Sequence, residues 1–272
     1  SSQAVQLMQS IEAQNLQSLK FGSSGARNLT LSFYYRSNVT GVHTVCIDKI
    51  DSTRTTCPLE FTVSSANTWE RHTLKAVANS AVQGSSGAIA NDNGAGFRVI
   101  WGLAYGSDYQ SGTSGTWEQN GTASFSTSNQ QNIVGAADNY VELTGVQLEI
   151  GDVATAFEHE DFSTTLAKCQ RYYYQYKDDG ENRFHCIAGS GGANIIHASA
   201  THPVEMRTSG SVTSSSLNHS INGVSNGDRS VSSVVGTKKN FLIALSFTHT
   251  AGRDAGRVQT SSGQSIQLSA EL

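Results

Sequence analysis

"NLTLSFYYRS", residues 28–37, is a run in which apolar and polar side chains alternate. Leu29, Leu31, Phe33 and Tyr35 point one way, while Thr30, Ser32 and Tyr34 point the other. Successive side chains of a β-strand lie on opposite faces of a sheet, so this pattern predicts a strand with one buried face.

Similar runs continue along the chain, separated by turn sequences such as "GSSG", "NDNG" and "GTSG". In the first half they cover residues 41–50, 57–65, 69–78, 96–106, 122–127 and 140–150. After residue 160 the pattern resumes, and the alternating Phe241, Ile243, Leu245 and Phe247 predict a central strand. Many short strands between turns predict an all-β fold, an antiparallel β-sandwich of the lectin-like, jelly-roll type. Residues 5–20 differ, because Leu7, Ile11, Leu16 and Leu19 form an approximate helical stripe.

Composition narrows the functional classes. Only 15% of the 272 residues are charged, the net charge is −4, and no block of Lys and Arg occurs. A nucleic-acid groove needs a basic stripe, so nucleic acid is disfavoured as a partner. No apolar run approaches the ~20 residues that span a bilayer, so we expect no membrane insertion. The start "SSQAVQLMQS" has neither Met nor a signal-peptide pattern, which we interpret as a fragment or a processed product.

The segment "GVQLEIGDVATAFEHEDFSTTLAKCQRYYYQY", residues 145–176, reads as strand, acidic turn, short helix and strand. Its cluster Glu158, His159, Glu160 and Asp161 suggests either acid–base chemistry or a joint between domains. Consecutive side chains cannot all converge on one atom, so we favour a joint in which Asp161 or Ser163 caps the helix. Leu166, Cys169 and Tyr173 would then dock that helix between sheets. The joint divides the chain into domains 1–160 and 161–272.

The cysteines and possible metal ligands give no firm site. Cys46 and Cys57 are compatible with a hairpin disulfide and equally with two buried thiols. His185, His197 and His202 lack the pairing of a zinc site, so we expect no metal there. The loop carboxylates Asp92, Asp108 and Asp138 leave open a structural Ca²⁺ without fixing one.

An aromatic loop offers the best candidate binding residues. In "WGLAYGSDYQSGTSGTWEQNG", residues 101–121, rings alternate with short polar side chains. Sugars bind flat apolar rings through their C–H faces and polar groups through their hydroxyls. The candidate glycan-binding residues are Trp101, Tyr105, Asp108, Tyr109, Trp117, Gln119 and Asn120. Trp101 and Trp117 are equally compatible with a core position, whereas Tyr105 and Tyr109 are expected to be exposed.

The joint resembles a segment of phage tail-fibre and virion structural proteins. In these, a carbohydrate-binding-module-like β-sandwich ends in "GVQLE-G--AT-FE", followed by "L--CQRYY". Residues 14–41 and 67–76 resemble the opening strands of that sandwich, and residues 202–213 and 265–272 resemble its C-terminal domain. The resemblance implies a first domain without its first strand and a distal, trimerising second domain. It carries over no catalytic residue.

The resemblance also implies the function. We expect a non-enzymatic fibre protein of the virion tail or capsid, assembled in the host cytoplasm, that adsorbs to host-surface glycan. The expected partners are two further copies in a homotrimer and other virion structural proteins. One alternative is a purely structural decoration or linker. Another is a polysaccharide depolymerase, for which the sequence shows neither a carboxylate pair nor a nucleophile motif.

Overall fold

A computed structural model describes residues 2–119, 124–177, 185–192, 195–221, 224–229, 231–246, 256–260 and 263–271. The chain divides into two compact units, Ser1–His159 and Glu160–Glu271. Strands dominate both units and all pair in antiparallel fashion, so the predicted all-β class is confirmed.

The first unit contains two sheets. Its strands are β1 Ala4–Glu12, β2 Leu29–Ser37, β3 Gly41–Lys49, β4 Thr55–Val63, β5 Glu70–Ala76, β6 Ala95–Tyr105 and β7 Val141–Ile150. A four-stranded sheet has the order β1-β6-β3-β4, and a three-stranded sheet has the order β5-β2-β7. The helical pieces are short: α1 spans Gly84–Gly87, and 3₁₀ turns span Ala13–Leu19, Ser80–Val82, Ser107–Tyr109 and Ile133–Gly135.

One hydrophobic core takes side chains from both sheets. Leu29, Leu31, Phe33 and Tyr35 of β2 are buried in it, together with apolar residues of β3, β4 and β6.

Six of the strands predicted for the first unit begin and end within two residues of the observed strands. The prediction of a strand at residues 122–127 is wrong for residues 124–127, which are the part of this range that the structure describes and which form a loop.

The predicted helix at residues 5–20 is wrong over its first half. Residues 4–12 form β1, which pairs with β6 from Ala4↔Tyr105 to Glu12↔Ala95, and only the following seven residues form a 3₁₀ helix. Pairing with a neighbouring strand overrides the weak helical stripe, since strand preference depends mainly on tertiary context. Val5, Leu7 and Met8 remain exposed, because β1 is an edge strand.

Two imidazole rings lie within the aromatic part of this core. His43 donates from Nε2 to the Val39 carbonyl at 2.9 Å, so its Nδ1 accepts from the Tyr35 hydroxyl at 3.1 Å. That arrangement requires the neutral ring. The His72 ring packs 4.7 Å from that of Phe61. Burial lowers the pKa of both histidines.

Cys46 and Cys57 are buried free thiols, not a disulfide. In the β3–β4 register Cys46 lies opposite Pro58 and Cys57 lies opposite Ile47, an offset of one position. Their side chains therefore leave the sheet on opposite faces. Burial raises the pKa of the Cys57 thiol to about 12 and raises that of Cys46 strongly, so both stay protonated.

The described residues of the second unit also form two sheets. Its strands are β8 Tyr173–Lys177, β9 His185–Gly192, β10 Ile195–Thr201, β11 Ser211–Ser214, β12 Leu217–Ile221, β13 Val224–Arg229, β14 Val231–Gly236, β15 Asn240–Ser246, β16 Gly256–Gln259 and β17 Ser265–Ser269. The sheet orders are β13-β12-β16-β9-β10-β15-β14 and β11-β17-β8. Phe241, Ile243 and Leu245 are buried in the core of this unit, and β15 lies between β10 and β14. Phe247 lies outside the described residues.

The joint contains the expected short helix, α2, at Phe162–Gln170. Asp161 caps it, since the Thr164 backbone N–H donates to its Oδ1 at 3.0 Å. Hydrogen bonds from Ser163 and Thr164 lower the pKa of this carboxyl, as expected for an N-cap. The docking face was wrongly predicted, because Leu166, Cys169 and Tyr173 are not buried.

We expect the first unit to lose stability between about pH 7.5 and pH 5 because of His43 and His72. Their folded pKa values lie below those of the unfolded chain, so the unfolded state takes up protons first as the pH falls. All three tryptophans lie in this unit, so the urea midpoint followed by tryptophan fluorescence measures the effect. His159→Gln changes an exposed ring and should keep the same pH dependence. A midpoint constant over this range would contradict the prediction.

Candidate functional site

Three rings of the predicted glycan-binding loop are buried. Trp101, Trp117 and Tyr105 expose only 4%, 2% and 8% of their surface. The two indoles belong to the main core, where Trp101 contacts Phe33 and Trp117 contacts Phe21 edge-on. The expected exposure of Tyr105 is wrong, and neither indole offers a free face to a sugar.

The loop instead covers the outer side of the four-stranded sheet. Tyr105 and Tyr109 pack with Phe125, at ring-centre distances of 6.1 Å and 5.6 Å, over Cys46 and Ile100. This second small core explains the burial, because the aromatic rings face inward onto the sheet. Tyr109 is partly buried in the same cluster.

An ion pair with a buried carboxylate fastens this cover. The exposed Arg54 forms a two-pronged bond to the buried carboxylate of Asp48, at 2.9 Å and 2.7 Å. Its guanidinium lies 4.9 Å from the centre of the Phe125 ring. The pairing compensates for the removal of the Asp48 charge from water, and the ring contact places Arg54 beside the cover.

The polar candidates are not gathered into one site. Asp108 is exposed in the 3₁₀ turn after β6. Gln119 is exposed, and its Nε2 donates to the Ala81 carbonyl at 2.7 Å and to the Ser86 hydroxyl at 3.1 Å. Asn120 lies outside the described residues. A role for Asp108, Tyr109 and Gln119 in glycan binding stays a prediction.

Exposed rings occur instead on the outside of the three-stranded sheet. Trp69, Tyr34 and Phe157 expose 42%, 40% and 39% of their surface. With Arg36 and the half-buried Tyr140 they form what we call the outer aromatic face. Such a concentration of exposed rings is unusual for a surface and commonly marks a binding site.

Arg36 organises one end of this face. Its guanidinium carbon lies 5.4 Å from the ring centre of Trp69 and 5.8 Å from that of Tyr140. Its Nε donates to Glu142 on the neighbouring strand β7. The Tyr140 hydroxyl donates to the Asn67 amide oxygen at 2.6 Å. These contacts hold the rings in fixed positions, as a binding surface requires.

The other end is shaped by the chain that follows β7. The Tyr34 ring lies against Gly145, where an added Cβ would approach within 3.1 Å of the ring. Phe157 lies next to the same glycine. Its segment is held by Arg71, which donates to the Thr155 carbonyl at 2.8 Å, and by Gln147, which accepts from the Glu158 backbone N–H at 2.8 Å.

The sequence contains a signal for this face. In "WERHTLKA", residues 69–76, Leu74 and Ala76 are apolar, while Arg71, Thr73 and Lys75 are polar. Trp69 shares the odd positions of the polar set, so alternation places its ring on the solvent side. Its approach to Arg36 depends on strand pairing, in which Tyr35 lies opposite both Glu70 and Leu143.

The outer aromatic face combines flat apolar rings, amides and a charged pair on an open surface. This arrangement suits stacking against an extended chain of sugar rings. Within the described residues, no group of three His, Cys, Asp or Glu side chains is placed to hold a metal ion, and Asp92, Asp108 and Asp138 form no such group. Among the described helices, none has the length and apolar character to cross a membrane.

Comparison with known proteins adds no relative: no family model, no curated protein and no solved structure matches the chain.

The position of Tyr105 yields a prediction about Gly102. A Cβ at Gly102 would lie 2.3 Å from Cε2 of the Tyr105 ring, so Gly102→Ala forces the ring away from the sheet. We expect a loss of about 1–3 kcal/mol in the free energy of unfolding, measured by urea denaturation. In the control Gly25→Ala, the nearest atom to the new Cβ is 3.6 Å away, and the free energy should change little. Equal effects of both substitutions would contradict this role.

Proposed function

We propose that the chain is a non-enzymatic phage virion protein, part of a tail or capsid fibre, that binds host-cell surface glycan. The outer aromatic face is the observation that carries the proposal. Its three exposed rings lie on one side of a rigid sheet, where a sugar chain has access without any closing motion. The virion assignment rests on the resemblance of residues 145–176 to fibre proteins.

Together with this function we propose a fold of two lectin-like, jelly-roll β-sandwiches, with a boundary between them at residue 160. The common core of the two sheets in the first unit supports it, and so does the core of the second unit. An antiparallel sandwich can leave the outer side of a sheet in solvent, which is where the rings of Trp69 and Tyr34 lie.

Replacing the exposed rings tests glycan binding directly. Trp69→Ala and Tyr34→Ala each remove a stacking surface, so we expect each to raise the dissociation constant for host glycan about tenfold. Binding is measured on immobilised host-surface polysaccharide with the purified chain. Phe162→Ala is the control, because it removes an exposed ring from the second unit and should leave affinity unchanged.

The same experiment separates the alternatives. Full binding by Trp69→Ala and Tyr34→Ala, with an unchanged circular dichroism spectrum, would contradict the proposed role of this face. No binding by the unmodified chain would favour a structural decoration or linker. Release of new reducing ends from the polysaccharide would favour a depolymerase.

We further propose that three copies associate. The exposed apolar side chains Val5, Leu7 and Met8 on the edge strand β1 support self-association, because open strand edges with apolar groups readily pair. Phe241, Ile243 and Leu245 of β15 are buried within one chain, so they do not form part of this proposed interface. Other virion structural proteins would anchor the assembly.

Light scattering tests the trimer. We expect a particle mass three times that of the 28.9 kDa chain. The variant Leu7→Lys places a charge on the edge strand and should reduce the mass if β1 takes part. Val77→Lys, at an exposed valine outside β1, is the control and should leave the particle mass unchanged. A single-chain mass for the unmodified protein would contradict the homotrimer.

A further inference from the structure

A small cleft opens in the first unit at the end of the β1–β6 pair. It has a volume of about 240 Å³ and is bordered by the first residues of β1, the end of β6 and residues 130–134. It lies on the four-stranded sheet, whereas the outer aromatic face belongs to the three-stranded sheet. The inference drawn from it therefore does not rest on the proposed function of that face.

The lining of the cleft is rich in amides and contains no charged side chain. Five amides border it, namely Gln3, Gln110, Gln130, Gln131 and Asn132. The other side chains include the apolar Val5 and Val134 and the ring of Tyr105. Each amide carries both a donor and an acceptor, so together they match groups that also do both, such as hydroxyls.

Two of the amides are held in place by the backbone. Gln110 donates from Nε2 to the Tyr105 carbonyl at 3.0 Å. Gln130 donates from Nε2 to the carbonyls of Gly102 and Gln131, at 3.1 Å and 2.8 Å. Since carbonyls only accept, both amides have a defined orientation. The Oε1 of Gln130 has no partner within the described part of the chain.

The remaining amides have hydrogen-bonding capacity to spare. Within the described residues, the side chains of Gln3, Gln131 and Asn132 make no hydrogen bond. The cleft therefore combines amides whose orientation is fixed by hydrogen bonds with amides whose side chains make no hydrogen bond within the described residues. A polar ligand that fits between them replaces water without leaving these amides unpaired.

The wall of the cleft and its volume further restrict the kind of ligand that fits. The Tyr105 ring forms a rigid wall, because its hydroxyl donates to Gln6 at 3.1 Å and its face packs on Phe125. A volume of 240 Å³ is below the roughly 300–1,000 Å³ of sites for drug-sized molecules, so one ring is the expected size. A charged ligand would lose its hydration without gaining an opposite charge.

We propose that this cleft is a second binding site, which takes a single neutral, polyhydroxylated ring of monosaccharide size. Gln110 would position its hydroxyls, Gln130 would hold the backbone beside the cleft, and Gln3, Gln131 and Asn132 would supply the additional hydrogen bonds. Val5, Val134 and the Tyr105 ring would contact its C–H surfaces. The chain then has one open surface for a sugar chain and one small cleft for a single sugar.

The test uses the full chain, isotope-labelled for NMR. It is titrated separately with the methyl glycosides of glucose, galactose, mannose and N-acetylglucosamine, and with glucuronate as the charged comparison. We expect saturable shifts of the Gln110 and Gln131 side-chain NH₂ signals with at least one neutral glycoside, at millimolar dissociation constants. Glucuronate should bind at least tenfold more weakly.

Variants assign the binding to the cleft. The double variant Gln131→Ala, Asn132→Ala should raise the dissociation constant at least tenfold. Ser128→Ala, at a nearby exposed residue outside the lining, should leave it unchanged. Trp69→Ala should also retain cleft binding, which separates failure of this proposal from failure of the outer face.

Three results would overturn the proposal. One is the absence of saturable shifts with all four neutral glycosides up to roughly 50 mM, well above the expected millimolar range. Another is tighter binding of glucuronate than of the neutral rings. The third is unchanged binding by the double variant, with its backbone spectrum preserved.

Discussion

The alternation of side chains along β2 is the constraint on which the first unit depends. Leu29, Leu31, Phe33 and Tyr35 must face inward together, because each contributes roughly 1.5–3 kcal/mol when buried and a shift of one residue would expose all of them. The same requirement sends Tyr34 and Arg36 outward. Since β5 and β7 pair with β2 on either side, their outward residues join these two. The core thus determines which aromatic residues reach solvent.

The four-stranded sheet shows the opposite arrangement, since residues within 106–119 and 124–134 cover part of its outer side. Tyr109 and Phe125 supply the apolar contact, and Arg54 links that cover to the buried Asp48. Strands β3 and β4 of this sheet are consequently buried on both sides for most of their length, whereas the three-stranded sheet keeps an exposed side. That difference explains why the Tyr105 ring of the predicted glycan-binding loop is buried. The binding surface that we propose lies on β2, β5 and β7, whose sequences contain no comparable run of aromatic and polar residues in a loop.

The periodicity of the sequence was sufficient to locate most strands of the first unit, but it was insufficient to predict which aromatic side chains are exposed. Residues 28–37 and 140–150 were identified almost to their ends, because alternation of period two reports directly on a half-buried strand. The helix predicted over residues 5–12 is wrong, because their approximate helical spacing is also compatible with an edge strand that buries few side chains. The burial of Trp101 could not be predicted, because it depends on which segment covers which sheet. The proximity of Trp69 and Arg36 required the strand register, which sequence alone does not specify.

The offset of Cys46 and Cys57 has a consequence for where this unit can fold. Their thiols leave opposite faces of one sheet and stay protonated, so neither cross-links to the other nor reacts readily as a thiolate. Neither the strand pairing nor the core around them needs an oxidant to form. These two positions therefore make the fold indifferent to redox conditions: the same packing holds in a reducing cell interior and in the oxidising medium outside.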